Sequence, residues 1–282
     1  MANRIRNISI LSLILTIAVS MLLGCTSNEN RATIKASENI AIDKFNININ
    51  EKNAKVLDIG KPQSVDESNN SSTIVDTKTK VTNISDFDIR NIQLTLREYD
   101  KDKNALAKTE ALSKITLSPG ESVYLQSAHK KYAKTSEVIS YSYNVSNKLV
   151  SVDLLDDKVN IINTKEKIVK NKNYDILAIS EPKILNQVDG GYNSEITIKN
   201  LSDKDIGSVV LELAELNGNK EYTNISYVDS YEVIKKNQEV KLYSVHPSDV
   251  KKLEVVGYIY DDVKNNTTVE VNLKLNEAIL IK

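Results

Sequence analysis

The 282-residue chain contains one cysteine, no tryptophan, two phenylalanines, two histidines, four prolines and eight glycines. One cysteine excludes an intrachain disulfide, so folded parts must be held by their cores. A module of about 100 residues can do this, because it buries well over half of its unfolded surface. Eight glycines leave little scope for a phosphate-cradling loop, and none of recognisable spacing is present. The formal net charge of −1 gives no basic footprint for nucleic acid. With 40% hydrophobic and 27% charged residues the composition is that of a globular protein rather than a disordered one.

What is present begins at the N-terminus. Arg4 and Arg6 precede an apolar run from Ile8 to Leu23, which ends in Leu22-Leu23-Gly24-Cys25. The run is shorter than the roughly 20 residues of a spanning helix. The sole cysteine stands where a cut would leave it first. This pattern resembles the lipobox of bacterial lipoproteins. The resemblance implies cleavage before Cys25, with Leu22, Leu23 and Gly24 read by the signal peptidase and a lipid on the Cys25 thiol. The chain would then be held to the outer face of a cell membrane, and the abundance of Ile, Asn and Lys fits a low-GC, Gram-positive surface. The alternative is an uncleaved anchor in which Cys25 is incidental. Residues 26–52 are polar and read as a tether, although Ile40 to Ile42 and Phe45 to Ile49 alternate enough for a short strand.

The rest of the chain repeats itself. Asn83-Ile84-Ser85-Asp86-Phe87-Asp88-Ile89 recurs as Asn200-Leu201-Ser202-Asp203-Lys204-Asp205-Ile206, an offset of 117 (200 − 83). Leu94 and Leu96 meet Leu211 and Leu213 at that spacing, and Tyr141 and Tyr143 meet Tyr258 and Tyr260. Upstream, Val56 pairs with Ile176 at 120 (176 − 56); downstream, Val150 pairs with Val269 at 119 (269 − 150). Apolar residues alternate with polar ones at Ile92, Leu94, Leu96, at Val123, Leu125 and at Ile139, Tyr141, Tyr143, with turn residues between the runs. Such alternation marks strands with one buried face. The expected fold class is all-β, with two tandem immunoglobulin- or fibronectin-III-like sandwiches. The expected boundaries are a signal peptide 1–24, a lipidated tether 25–52, repeat 1 at 53–158, a linker 159–172 and repeat 2 at 173–282. Short helical turns at 105–112 or 248–252 stay open.

Asn83-x-Ser85-x-x-x-Ile89 followed by Ile92-Gln93-Leu94-Thr95-Leu96-Arg97-Glu98-Tyr99-Asp100 resembles the FxLYD family of bacterial envelope domains. The second copy keeps Asn200, Ser202 and Ile206 but has Glu215-Leu216-Asn217-Gly218 in place of Tyr-Asp. The resemblance implies an immunoglobulin-like sandwich and no particular activity.

Candidate sites are few. His129 and His246 are the only histidines and occupy equivalent positions. Each is read either as a ligand or pH-sensitive contact, or as a strand residue copied by duplication. The residues after them, Lys130-Lys131 against Pro247-Ser248, offer no shared partners for a metal, and no flanking Ser or Asp constellation of known type is apparent. Asp86, Asp88, Asp203 and Asp205 alternate as calcium ligands do. The Asn and Ser before them suit instead a turn capped by side chains. The paired tyrosines are read as core, or as a stacking stripe if exposed. Lys165, Lys167, Lys170 and Lys172 are read as a solvated linker, or as a contact to lipid headgroups. No catalytic residue, metal or cofactor is expected. The functional expectation is a non-catalytic, membrane-anchored module that binds an envelope or surface protein. The alternative is a lipoprotein that captures a small solute or cell-wall fragment.

Overall fold

In the computed structural model the described residues are 47–64, 74–130, 132–170 and 172–281. The signal-like segment, the lipobox and most of the tether lie outside them. Residues 47–50 are not a strand, yet Ile49 is buried in a core cluster.

The protein is all-β, with antiparallel sheets in a sandwich-like arrangement. The sole helical turn among the described residues is a 3-10 turn at Lys172–Tyr174. The first copy contributes β1 (Leu57–Ile59), β2 (Gln63–Ser64), β3 (Ile74–Asn83), β4 (Arg90–Tyr99), β5 (Ala105–Ser113), β6 (Ser122–Lys130), β7 (Thr135–Val145), β8 (Lys148–Asp153) and β9 (Lys158–Asn163). After β10 (Lys167–Val169), the second contributes β11 (Leu177–Ile179), β12 (Lys183–Val188), β13 (Gly191–Asn200), β14 (Val209–Leu216), β15 (Tyr222–Asp229), β16 (Glu239–Pro247), β17 (Lys252–Asp262), β18 (Thr267–Asn272) and β19 (Glu277–Ile281). Residues 105–112 are therefore strand. The segment expected as a linker is taken into both sheets, since β9 pairs with β8 and β10 with β19.

The duplicated sequence folds in duplicate. In repeat 1, β3 and β6 face a second sheet ordered β5-β4-β7-β8-β9; in repeat 2, β13 and β16 face β15-β14-β17-β18-β19. Ile92, Leu94 and Leu96 from β4 meet Val81, Val123 and Leu125 from the facing sheet in one buried cluster. Leu211 and Leu213 meet Ile196, Ile198 and Leu242 in another. The turn motif repeats atom for atom. Asn83 donates through Nδ2 to Phe87 O at 2.8 Å and accepts from the Ser85 amide at 3.0 Å; Asn200 donates to Lys204 O at 2.8 Å and accepts from the Ser202 amide at 2.9 Å. Both asparagines are fully buried. Their side chains replace backbone partners that the turn would otherwise leave unsatisfied.

The two repeats are docked, and the joint is asymmetric. Val123, at the start of β6, bridges in parallel to Tyr222, at the start of β15, so one sheet runs through both copies. Strand β4 alternates buried and half-buried residues along its length, whereas β14 is buried on both faces from Leu211 to Leu216. The outward residues Ala214 and Leu216, with Tyr222, join the core cluster of repeat 1. Burying a side chain such as Leu216 contributes roughly 1.5–3 kcal/mol. Around this apolar centre Lys80 Nζ lies 2.5 Å from Glu221 Oε1, and Asn272 Nδ2 donates to Thr116 Oγ1 at 2.7 Å. Lys274 pairs with Glu121 and stands over the Tyr222 ring, 5.4 Å from its centroid.

Candidate functional site

Near the C-terminal end of β4 and of β14 the inward series carries a carboxylate in place of an apolar residue: Glu98 in the first copy, Glu215 in the second. Each carboxyl reaches across the sandwich to the histidine of the facing sheet. His246 Nδ1 lies 2.7 Å from Glu215 Oε1, and its Nε2 lies 2.7 Å from Ser244 Oγ and 3.1 Å from Ser194 Oγ. Ser226 and Asn224, on β15, also donate to the Glu215 carboxylate. The His246 side chain is 0% exposed and that of Glu215 2%. In repeat 1, His129 Nε2 lies 2.8 Å from Ser127 Oγ, but Nδ1 stands 3.4 Å from Glu98 Oε1, too far and misaligned for a hydrogen bond. Thr77, equivalent to Ser194, bonds Ser127 at 2.8 Å.

The titration behaviour follows from these contacts. Burial pulls the His129 imidazole below its usual range, with Glu98 opposing it weakly. Burial would raise Glu215, but hydrogen bonds from His246, Ser226 and Asn224 outweigh it and hold the carboxyl below the ordinary carboxylate range. A third buried carboxyl, Glu212, faces outward from β14 into the joint. Burial and the nearby Glu270 push it up to about 7, with Lys114 of repeat 1 opposing. Its Oε1 has no hydrogen-bond partner. Gly257 makes room for it, since a β-carbon there would lie 2.7 Å from Glu212 Oε2.

The histidines expected as equivalent are thus equivalent in fold position, and they share neighbours that are not metal ligands. Those neighbours precede them: Ser127 and Ser244 two residues before, Glu98 and Glu215 one strand away. The same 117-residue spacing relates Glu98 to Glu215 and Ser127 to Ser244, so the signal was in the repeat alignment. The Ser244-His246-Glu215 distances match those of a nucleophile, base and orienting acid. The histidine ring, however, is sealed in the core, and the cavity described below does not adjoin it. The Glu215–His246 contact ties the two facing sheets together. Among the described residues no three His, Cys, Asp or Glu side chains form a group able to hold a metal.

The other expectations find definite places. Tyr141, Tyr143, Tyr258 and Tyr260 are all buried, with ring centroids 6.3 Å and 6.1 Å apart within the pairs, so they are core and not an exposed stripe. Tyr143 donates to Ala54 O at 2.8 Å, and Tyr258 accepts from the Ile176 amide at 2.9 Å. Asp86, Asp88, Asp203 and Asp205 flank the Asn-Ser turns. Of the linker lysines, Lys165 and Lys167 are exposed, Lys170 lies 3.5 Å from Glu277, and Lys172 is in the 3-10 turn. Cys25 and its neighbours lie outside the described residues.

A shallow depression of about 530 Å³ lies on the outer face of the β4-β7-β8-β9 sheet. Gln93, Thr95, Ser140, Ser142, Ser151 and Asp153 line it. Its lining is mostly hydroxyl and amide groups, with Asp153 and Lys158 at one side. The corresponding face of repeat 2 is the one that packs on repeat 1.

No family model matches the chain, and no curated protein matches it. Solved structures that align with it include the exo-chitosanase CsxA of Amycolatopsis orientalis, at 11% identity over 75% of this chain and 26% of that one, with a TM-score of 0.21. The transglutaminase of red sea bream aligns at 9% identity over 80% of this chain and 31% of the other, with a TM-score of 0.19. The chain spans less than a third of either protein, and scores this low carry no inference about fold or activity.

Proposed function

We propose that the protein is a lipid-anchored envelope protein whose paired sandwiches form a non-catalytic binding and assembly module. The supporting observation is the joint. One copy engages the other through a sheet face and a strand edge, with an apolar centre and a rim of ion pairs, which is the anatomy of a recognition surface. Of the groups that would serve catalysis, His246 is buried and ties the facing sheets together, and His129 is buried against Ser127 of its own strand. A tethered pair of such modules gains avidity if both engage one partner. The depression lined by Thr95, Ser140 and Ser151 favours a second reading, capture of a polar solute or cell-wall fragment.

Crosslinking on intact cells of the producer, followed by pull-down and mass spectrometry, tests this function. One or a few protein partners, lost when Cys25 is replaced by Ala, are expected. If saturating crosslinker traps no protein, the binding reading falls in favour of solute capture. An intact Met1 N-terminus on the membrane-bound protein would overturn the lipid anchor.

A further inference from the structure

The chain has one Asn-Gly sequence, Asn217-Gly218, in the turn that joins β14 to β15. Asn217 closes this turn with its side chain. Its Oδ1 accepts from the amides of Asn219 at 2.9 Å and Glu221 at 3.0 Å, and its Nδ2 donates to Glu221 Oε2 at 2.8 Å. Glu221 in turn holds the rim of the joint, since Lys80 Nζ lies 2.5 Å from its Oε1 and Tyr124 of repeat 1 donates to its Oε2 at 3.2 Å. Leu216 and Tyr222, on either side of the turn, are buried in the core cluster of repeat 1.

Repeat 1 has the same turn with the two groups exchanged. Asp100 and Asn104 are the counterparts of Asn217 and Glu221 (217 − 100 = 117; 221 − 104 = 117). Asp100 Oδ1 accepts from the amides of Asp102 at 2.8 Å and Asn104 at 2.9 Å, and Asn104 Nδ2 donates to Asp100 Oδ2 at 3.0 Å. Each turn thus pairs one amide with one carboxylate. Only in repeat 2 does the amide precede a glycine, because Lys101 stands where repeat 2 has Gly218. Conversion of the Asn217 amide to an acid would set two carboxylates against each other where each repeat otherwise has one.

We propose that Asn217-Gly218 is a modification site, at which the turn converts its own amide to an acid and thereby loosens the joint between the repeats. The Gly218 nitrogen bonds to Asn217 Cγ, the Cγ–Nδ2 bond breaks, and ammonia leaves with the Gly218 amide proton, closing a succinimide ring. Water then opens the ring at either carbonyl and leaves an aspartyl or an isoaspartyl residue. The turn supplies what ring closure needs. Gly218 is exposed, carries no side chain to hinder the approach, and has nothing within 4 Å of the place a β-carbon would take. The backbone N–H groups of Asn219 and Glu221 already stand at hydrogen-bond distance from Oδ1, the atom on which negative charge develops when Cγ is attacked. The product has no donor left for Glu221, and its isoaspartyl form inserts an extra methylene into the main chain between Leu216 and Tyr222.

To test this, the full-length protein is incubated folded at mildly alkaline pH, and the tryptic peptide 205–220 is followed by mass spectrometry with fragmentation that locates the new acid. The expected result is accumulation of aspartyl and isoaspartyl forms at position 217. Gly218→Ala, which the open space accommodates, should lose the conversion. An Asn217 that stays an amide in the folded protein, even if it converts in urea, overturns the site, and so does conversion at Asn219 in its place. Converted chains are then separated from unconverted ones by their added negative charge. They should show faster amide hydrogen exchange at 216–222 and at the facing start of β6, together with a lower urea midpoint, and Asn217→Asp should reproduce both changes. Unchanged exchange at these two segments overturns the effect on the joint.

Discussion

The two histidine clusters occupy the same places in the same fold, yet one is closed and the other loose. In repeat 2 the Glu215 carboxylate gathers His246, Ser226 and Asn224; in repeat 1 the equivalents of Ser226 and Asn224 are Thr109 and Ala107. Ala107 has no donor, and Thr109 turns away to Ala128 O at 3.3 Å. Glu98 Oε2 and His129 Nδ1 are left without hydrogen-bond partners. Thr77 reaches Ser127 but not the ring that Ser194 bonds in the other copy. A buried carboxylate and imidazole hold each other only when a third strand supplies donors for the remaining lone pairs, which is why β15 rather than β16 decides the difference.

The largest effect should come from removing the histidines one at a time. His246→Ala strands the Glu215 carboxylate in the core and should cost about 3–5 kcal/mol. His129→Ala, which breaks no close contact to Glu98, should cost only about 1–3 kcal/mol. Urea midpoints at constant slope measure both, and equal losses would break the distinction between the clusters. Second in size is Glu212, which has Thr95 as its counterpart. Its folded-state value of about 7 lies above the ordinary 4.5, so the stabilisation is complete below pH 4.5 and is lost as pH rises through 7. Glu212→Gln should therefore raise stability above pH 7 by about 2–3 kcal/mol and leave acid stability unchanged. Melting curves between pH 4 and 9 check the sign.

A smaller change separates the rim of the joint from the matching position of repeat 1. Lys274→Ala removes a half-buried pair at the joint and should cost about 0.5–1 kcal/mol. Leu155→Ala, at the matching exposed position, should stay within about 0.5 kcal/mol. The smallest effect is an acid shoulder. Because burial depresses His129, its contribution is present above about pH 6.5 and lost as pH falls through the lower folded-state value. His129→Gln should flatten that shoulder, as seen by tryptophan-free near-UV dichroism of the tyrosines.

Much of the sandwich can be read directly from period-two runs such as Ile92-x-Leu94-x-Leu96, and the turns from Asn83 and Asn200, because alternation and local side-chain capping are short-range physics. The joint is a different matter. Its trace in the sequence is that Leu211-Glu212-Leu213-Ala214-Glu215-Leu216 has mostly apolar or small residues at its outward positions, unlike Leu94-Thr95-Leu96-Arg97. Which surface covers those outward residues is set by packing between the copies, and no local pattern encodes it. The His-Glu pairs lie between these limits. Each partner is separated from the other by a full strand and loop, so the pairing emerges once the two sheets are laid face to face.

Ala214, Leu216 and Tyr222, with Ile225 and Val256 packed against them, complete a core whose remaining members come earlier in the chain. A polypeptide emerging N-terminus first therefore makes every strand of repeat 1 before it makes the residues that seal it. Until β14 and β15 follow, the start of β6 and its apolar neighbours lack the cover that these strands supply. Duplication has here left the copy made first with a core that residues of the copy made later complete.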